Sequence, residues 1–149
     1  MYLKRLFFLL FISLFIANSV YSQEWVQLGQ DIDGERSNDW SGFDISISSD
    51  GLTAAVSSPG ADLSDGRIRI YNYNGGNWVK LGNDIVEPTG GIFSSRFGKS
   101  ISLSGDGKRV AVGAVYNNDI QYIGGEVRVY EYSAGDWNKI GGDVNGANY

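Results

Sequence analysis

The sequence predicts an all-β protein made of repeated four-stranded antiparallel units, about two in number. Three observations lead there. Ser41 to Pro59 (SGFDISISSDGLTAAVSSP) aligns without a gap with Phe97 to Val115 (FGKSISLSGDGKRVAVGAV). Gly66 to Trp78 (GRIRIYNYNGGNW) aligns position for position with Gly125 to Trp137 (GEVRVYEYSAGDW). A third block occurs three times, as WVQLGQDI (Trp25 to Ile32), WVKLGNDI (Trp78 to Ile85) and WNKIGGDV (Trp137 to Val144), and each copy reads as one strand with its exit turn, the first standing alone ahead of the units. From Trp25/Trp78 to Ser41/Phe97 to Gly66/Gly125 the offset grows by three at each step, and each gain falls in a loop, near 86–95 and near 116–124. Insertions that spare the strands are expected of a structural repeat.

Taken in order, residues 1–22 form a separate segment. Lys4 and Arg5 precede an apolar run, Leu6 to Ile16, and a small-residue exit at Val20-Tyr21-Ser22. That is the order of a secretory signal peptide with cleavage before Gln23. A bilayer span takes about 20 apolar residues, so the run is too short for one. No cysteine follows the cleavage point, which excludes a lipoprotein anchor. Cleavage leaves 23–149. Without Lys4 and Arg5, ten of the 12 basic side chains remain against 17 acidic ones, a net charge of −7. Such a chain lacks the clustered Lys and Arg that nucleic acid requires. It has no disulfide to support it, so its stability must come from packing.

The repeat region, 23–149, divides into unit one, about 33–85, and unit two, about 86–144. Strands are expected at 43–49, 53–58, 66–73 and 77–82, then at 99–104, 109–114, 125–132 and 136–140. Ile45 and Ile47 alternate with Ser46 and Ser48, as Ile101 and Leu103 do with Ser102 and Ser104. That is the period of a strand with two different faces. Asp50-Gly51 and Asp106-Gly107 read as tight type I′ hairpin turns. Four antiparallel strands recurring at the spacing that separates Ser41 from Phe97 are the pattern of a β-propeller blade. A large apolar face of Ile, Leu and Val would meet a small face (Ser46, Ser48, Ala55, Ser57; Ser102, Ser104, Ala111, Gly113) that lets the next sheet come close. A propeller closes with about four to eight blades, so two make an incomplete ring. The chain is therefore expected to be part of a longer protein or a subunit that self-associates.

Phe97-Gly98 opens the first strand of unit two, Gly113-Ala114 closes its second, and unit one has Pro59 at the following position. These residues resemble the FG-GAP repeat of integrin-α-type β-propellers, above all the bacterial secreted variety with a Trp-x-x-Leu-Gly strand in each blade. The resemblance covers residues 24 to 149. Unit one departs from it with Ser41-Gly42 for FG, Phe43 lying two positions on, and Ser57-Ser58-Pro59 for GAP; unit two has Val115 for the Pro. The resemblance implies a non-enzymatic, exported or cell-surface module for binding or adhesion, with a protein or glycan partner.

The residues themselves narrow the chemistry. The mature chain has no His and no Cys, so no Ser–His–Asp or Cys–His nucleophile and no His/Cys zinc site can form. A hydrolase using two carboxylates remains as an alternative function, and a structural spacer as another, although no spacing marks a carboxylate pair. The integrin-type calcium loop is not carried over: calcium takes six to eight oxygens, and each Asp-Gly turn offers one carboxylate. Asp62 with Asp65, and Asn117-Asn118-Asp119, lie in the longer loop as further cation candidates. No catalytic, cofactor-binding or metal residue is assigned. Trp25, Trp78 and Trp137, with Tyr71, Tyr73, Tyr130 and Tyr132, read as packing between units, because they recur at one position. Trp40 does not recur, since Arg96 replaces it; with Phe43 and Arg36 it is the candidate for a contact particular to unit one.

Overall fold

A computed structural model describes residues 24–86, 95–115 and 125–146. The leader-like segment 1–22 and Asn117-Asn118-Asp119 lie outside the described residues. The fold is two antiparallel sheets. The first holds β1 (Ile45–Ile47), β2 (Thr53–Ser58), β3 (Arg67–Tyr73) and β4 (Trp78–Lys80) in that order, with β5 (Ile85–Val86) pairing the far end of β3. The second holds β6 (Ser100–Leu103), β7 (Arg109–Ala114), β8 (Glu126–Ser133) and β9 (Asp136–Asn145), again in chain order.

Register is shared between the sheets. Tyr73 faces Trp78 and Ile68 faces Ile85 in the first; Tyr132 faces Trp137 and Val127 faces Val144 in the second. The outer strand expected at 136–140 is longer than the sequence implied, because it continues past an irregularity between Val127 and Val129. In the first sheet the same path is broken into β4 and β5 around Gly82, which has φ +74.

Two expectations are corrected. Neither Asp-Gly turn is type I′, which needs positive φ at both central residues. Only Gly51 (φ 73) and Gly107 (φ 69) take that region. Asp50 instead accepts from Ser48 Oγ (2.5 Å) and from the Leu52 N–H (2.9 Å), so its side chain closes the turn on its own backbone. Asp106 does the same with Ser104 Oγ (2.5 Å) and the Lys108 N–H (3.0 Å). The second correction concerns Trp25 to Ile32, which matches an outer strand in sequence but pairs with no strand among the described residues. Trp25 is 100% exposed and Val26 83%.

The core lies between the sheets. Ala55, Ile68 and Ile70 of the first meet Ile101, Leu103, Val110 and Val112 of the second. Cross-strand pairing places Ser46, Ala55 and Ser57 on one face with Ile68 and Ile70, so the small face of the first sheet receives the large face of the second. Close approach lets polar groups bridge. The Leu103 N–H donates to Ser46 Oγ (2.9 Å), the Ile101 N–H to Asp44 Oδ2 (2.7 Å), and the Ser49 N–H to the Gly105 carbonyl (2.9 Å). Phe97 is fully buried and packs edge-on against Tyr130, with 6.2 Å between centroids. Gly66 permits this: with φ +95, its missing Cβ would stand 2.1 Å from the Phe97 carbonyl oxygen.

Candidate functional site

The loop before β1 and the loop joining β2 to β3 meet at one end of the first sheet, opposite the Asp50 turn. The Gly42 N–H donates to the Ser57 carbonyl (3.0 Å), the Asp44 N–H to Ser57 Oγ (2.9 Å), and the Gly60 N–H to the Asp39 carbonyl (3.1 Å). Between the two loops lies an open groove of about 650 Å³. Arg36, Ser37, Asn38 and Asp39 form one wall, and Gly60, Asp62, Leu63 and Asp65 the other.

The walls are built from unusual backbone. A helical turn, α1 (Ala61–Ser64), carries Asp62 at φ 53, ψ 50 and Leu63 at φ 62, ψ 29, and Ser64 follows at φ 76. Side chains on a left-handed backbone crowd the following carbonyl at about 1–2 kcal/mol per residue. Across the groove, Asn38 (φ 70) and Trp40 (φ 56) take the same region. Thus five of the seven non-glycine residues with positive φ among the described residues stand at or beside this groove. The other two are Arg96 (φ 51), at the position equivalent to Trp40, and Ala134 (φ 54) in the β8–β9 turn.

An ionic network holds the turn in place. Arg67 grips Asp62 with Nη2 at 2.8 and 2.7 Å from the two oxygens and Nε at 3.2 Å. The bond to Asp62 raises the Arg67 pKa above its ordinary value; burial opposes this, and the charges of Asp62, Asp84 and Glu35 support it. Arg69, 5% exposed at its side chain, lies 2.5 Å from Glu35 and donates to Asp84 at 3.1 Å. Burial would raise the Asp84 pKa, but the hydrogen bond from Lys80 and the charge of Arg69 bring it below the usual range. With these ties made, the turn presents Leu63 outward, 97% exposed. Beside the groove, Trp40 and Phe43 are half-exposed with ring centroids 6.4 Å apart, and Lys99 Nζ stands 4.3 Å over Phe43.

The structure brings Arg36, Asp62 and Asp65 into one groove, with Trp40 and Phe43 next to it. Both oxygens of Asp62 are held by Arg67, and no group of three acidic ligands suited to a metal occurs among the described residues. Of the recurring tryptophans, Trp137 packs from the second sheet against the turn at Leu81 of the first, while Trp78 packs against residues 28–30 ahead of the first sheet. Trp78 donates its indole N–H to the Leu28 carbonyl (2.7 Å) and lies against Tyr73, while Trp137 donates to the Leu81 carbonyl (2.8 Å) and lies against Tyr132. Trp25, wholly exposed, does not share this packing. Sequence reasoning missed Leu63 and the Arg67–Asp62 clamp; the available signal was a lone leucine in the polar loop Ala61 to Gly66.

In comparisons with known proteins, the chain matches no family model and no curated protein.

Proposed function

We propose that the chain is an exported, non-enzymatic binding module built from β-propeller blades of FG-GAP type, and that it contacts a protein partner through the groove beside α1. The observation that carries this is the left-handed turn, tied down by Arg67, that leaves Leu63 almost wholly in solvent. Strained backbone persists only where its surroundings over-determine it, and it concentrates at binding sites. An aliphatic side chain presented in this way adds no hydrogen bond to a sugar but gains from burial against an apolar surface on a protein. The carboxylates and Arg36 form a polar rim around it. The Trp40–Phe43 pair supports a second reading, a glycan stacked on the aromatic faces.

Panels of surface glycans and extracellular proteins, screened with wild type, Leu63→Asp and Trp40→Ala, separate the two. Leu63→Asp should abolish protein binding and leave any glycan binding intact; Trp40→Ala should do the reverse. Undiminished binding by both variants, or no ligand in either panel, would overturn the assignment to this groove.

A further inference from the structure

The two outward faces of the sheet pair are the two halves of the interface already formed inside it. The internal contact sets the small face of the first sheet (Ser46, Ala55, Ser57) against the large face of the second (Ile101, Leu103, Val110). Turned outward, the first sheet presents its own large face, with Ile45 69% and Ile47 58% exposed. Turned the other way, the second sheet presents its own small face, where pairing puts Ser102, Ala111 and Gly113 together. These positions match in the same alignment of the two units: Ile45 and Ile47 correspond to Ile101 and Leu103, and Ser102 to Ser46.

A second complementarity lies on the outer strands. Gly29 and Gly82 each sit beneath the indole of the following unit, where an added Cβ would come within 3.1 Å of Trp78 and 2.9 Å of Trp137. Gly141 is the third copy of this glycine, at φ +70, and among the described residues nothing lies within 4 Å of its Cβ position. The Ile140–Gly141 step, at the irregularity in β9, is therefore an indole seat with no indole in it.

We infer that the outward face of the second sheet docks a second copy of this chain head to tail, on Ile45 and Ile47 of that copy. The occupant follows from continuity: the neighbour offers the surface that the second sheet already offers the first. The Ile140–Gly141 step of β9 then takes the place at Trp78 now held by residues 28–30. That segment is tied to Trp78 by the indole bond to Leu28 and by two bonds through Gln30 (3.0 and 3.1 Å), while Trp25 and Val26 lie in solvent, so its release exposes little new apolar surface. Such contacts are heterologous, and repeating them gives a ring if the rotation closes and a filament if it does not.

The test is solution mass by light scattering across concentration, with folding checked by circular dichroism. Wild type should exceed one chain as concentration rises. Ile45→Lys combined with Ile47→Lys blocks one face, and Ser102→Arg the other; all three sites are exposed, and each variant alone should fall to the mass of a single chain. An equimolar mixture of the two should return to two chains, because each keeps the face the other lacks. A wild type monomeric throughout, or variants that associate as wild type does, would overturn the proposal. So would a mixture that stays monomeric, or one variant that still dimerises alone through a like-with-like contact.

Discussion

The indole N–H of Trp137 donates to the carbonyl of Leu81 at 2.8 Å, joining the outer strand of the second sheet to the turn that leaves the outer strand of the first. Trp78 makes the equivalent bond to Leu28 at 2.7 Å, whereas Trp25 stands wholly in solvent. Trp137 and Trp25 therefore give a graded prediction. Trp137→Ala should cost about 3–5 kcal/mol, as loss of a buried aromatic does. Trp137→Phe should keep the ring packing and lose about 1 kcal/mol with the hydrogen bond. Trp25→Ala should stay within about 0.5 kcal/mol of wild type. Urea unfolding curves check all three.

Gly66 and Gly75 separate backbone strain from crowding. Both have positive φ, +95 and +93, but a Cβ at Gly75 meets nothing within 4 Å while one at Gly66 meets the Phe97 carbonyl at 2.1 Å. Gly75→Ala should cost about 1–2 kcal/mol, the left-handed penalty alone. Gly66→Ala adds overpacking of about 1–3 kcal/mol or more on top. Equal effects of the two in thermal melts would show that the loop yields without cost.

Two arginines in different kinds of ion pair should behave differently. Arg69→Ala removes a cation only 5% exposed; Asp84 keeps Lys80 at 2.7 Å and Arg67 at 3.3 Å, so the cost should be that of a lost charged hydrogen bond, about 2 kcal/mol. Arg109 pairs with Glu131 at 2.7 Å, but its side chain is 60% exposed, so Arg109→Ala should cost no more than about 1 kcal/mol. Denaturation in about 1 M salt should narrow the second effect and leave the first largely unchanged.

Acid should weaken the hairpin turns. Asp50 is held below its ordinary pKa by Ser48 and then by the Leu52 N–H, and Asp106 by Ser104 and then by the Lys108 N–H. Both are lower folded than unfolded, so their stabilisation is complete above the unfolded value of about 3.9 and is lost as pH falls through the folded one. Melting temperature should therefore drop below about pH 4, and Asp50→Asn combined with Asp106→Asn should flatten that drop while lowering stability at neutral pH. A double variant with the wild-type acid slope would refute this origin.

The strands were legible because their signal is local. Alternation at Ile45-Ser46-Ile47 and in the run Arg67 to Tyr73 follows from the pleat itself, and the offsets between blocks located β2 and β7 to the residue. The faces were legible too, since a one-residue shift decides which side chains share a surface. The groove was less so. Arg36, Asp62, Trp40 and Phe43 stood out by type or by failing to recur, but nothing in the loop sequence places Asp62 under Arg67 or Leu63 in solvent.

By itself, then, the sequence determined the antiparallel strands, their unlike faces and a surface chemistry without His or Cys, because these depend on neighbours along the chain. Only the tertiary structure decided which repeated residues are equivalent in fact. Trp25 and Trp137 share one motif, yet one is wholly exposed and the other 8% exposed, because burial depends on which sheet stands opposite. The same holds for the left-handed turn at Asp62 to Ser64. Its strain is tolerated because Arg67, Phe97 and Asp39 close on that loop from outside it, and no local propensity of its own residues would select it.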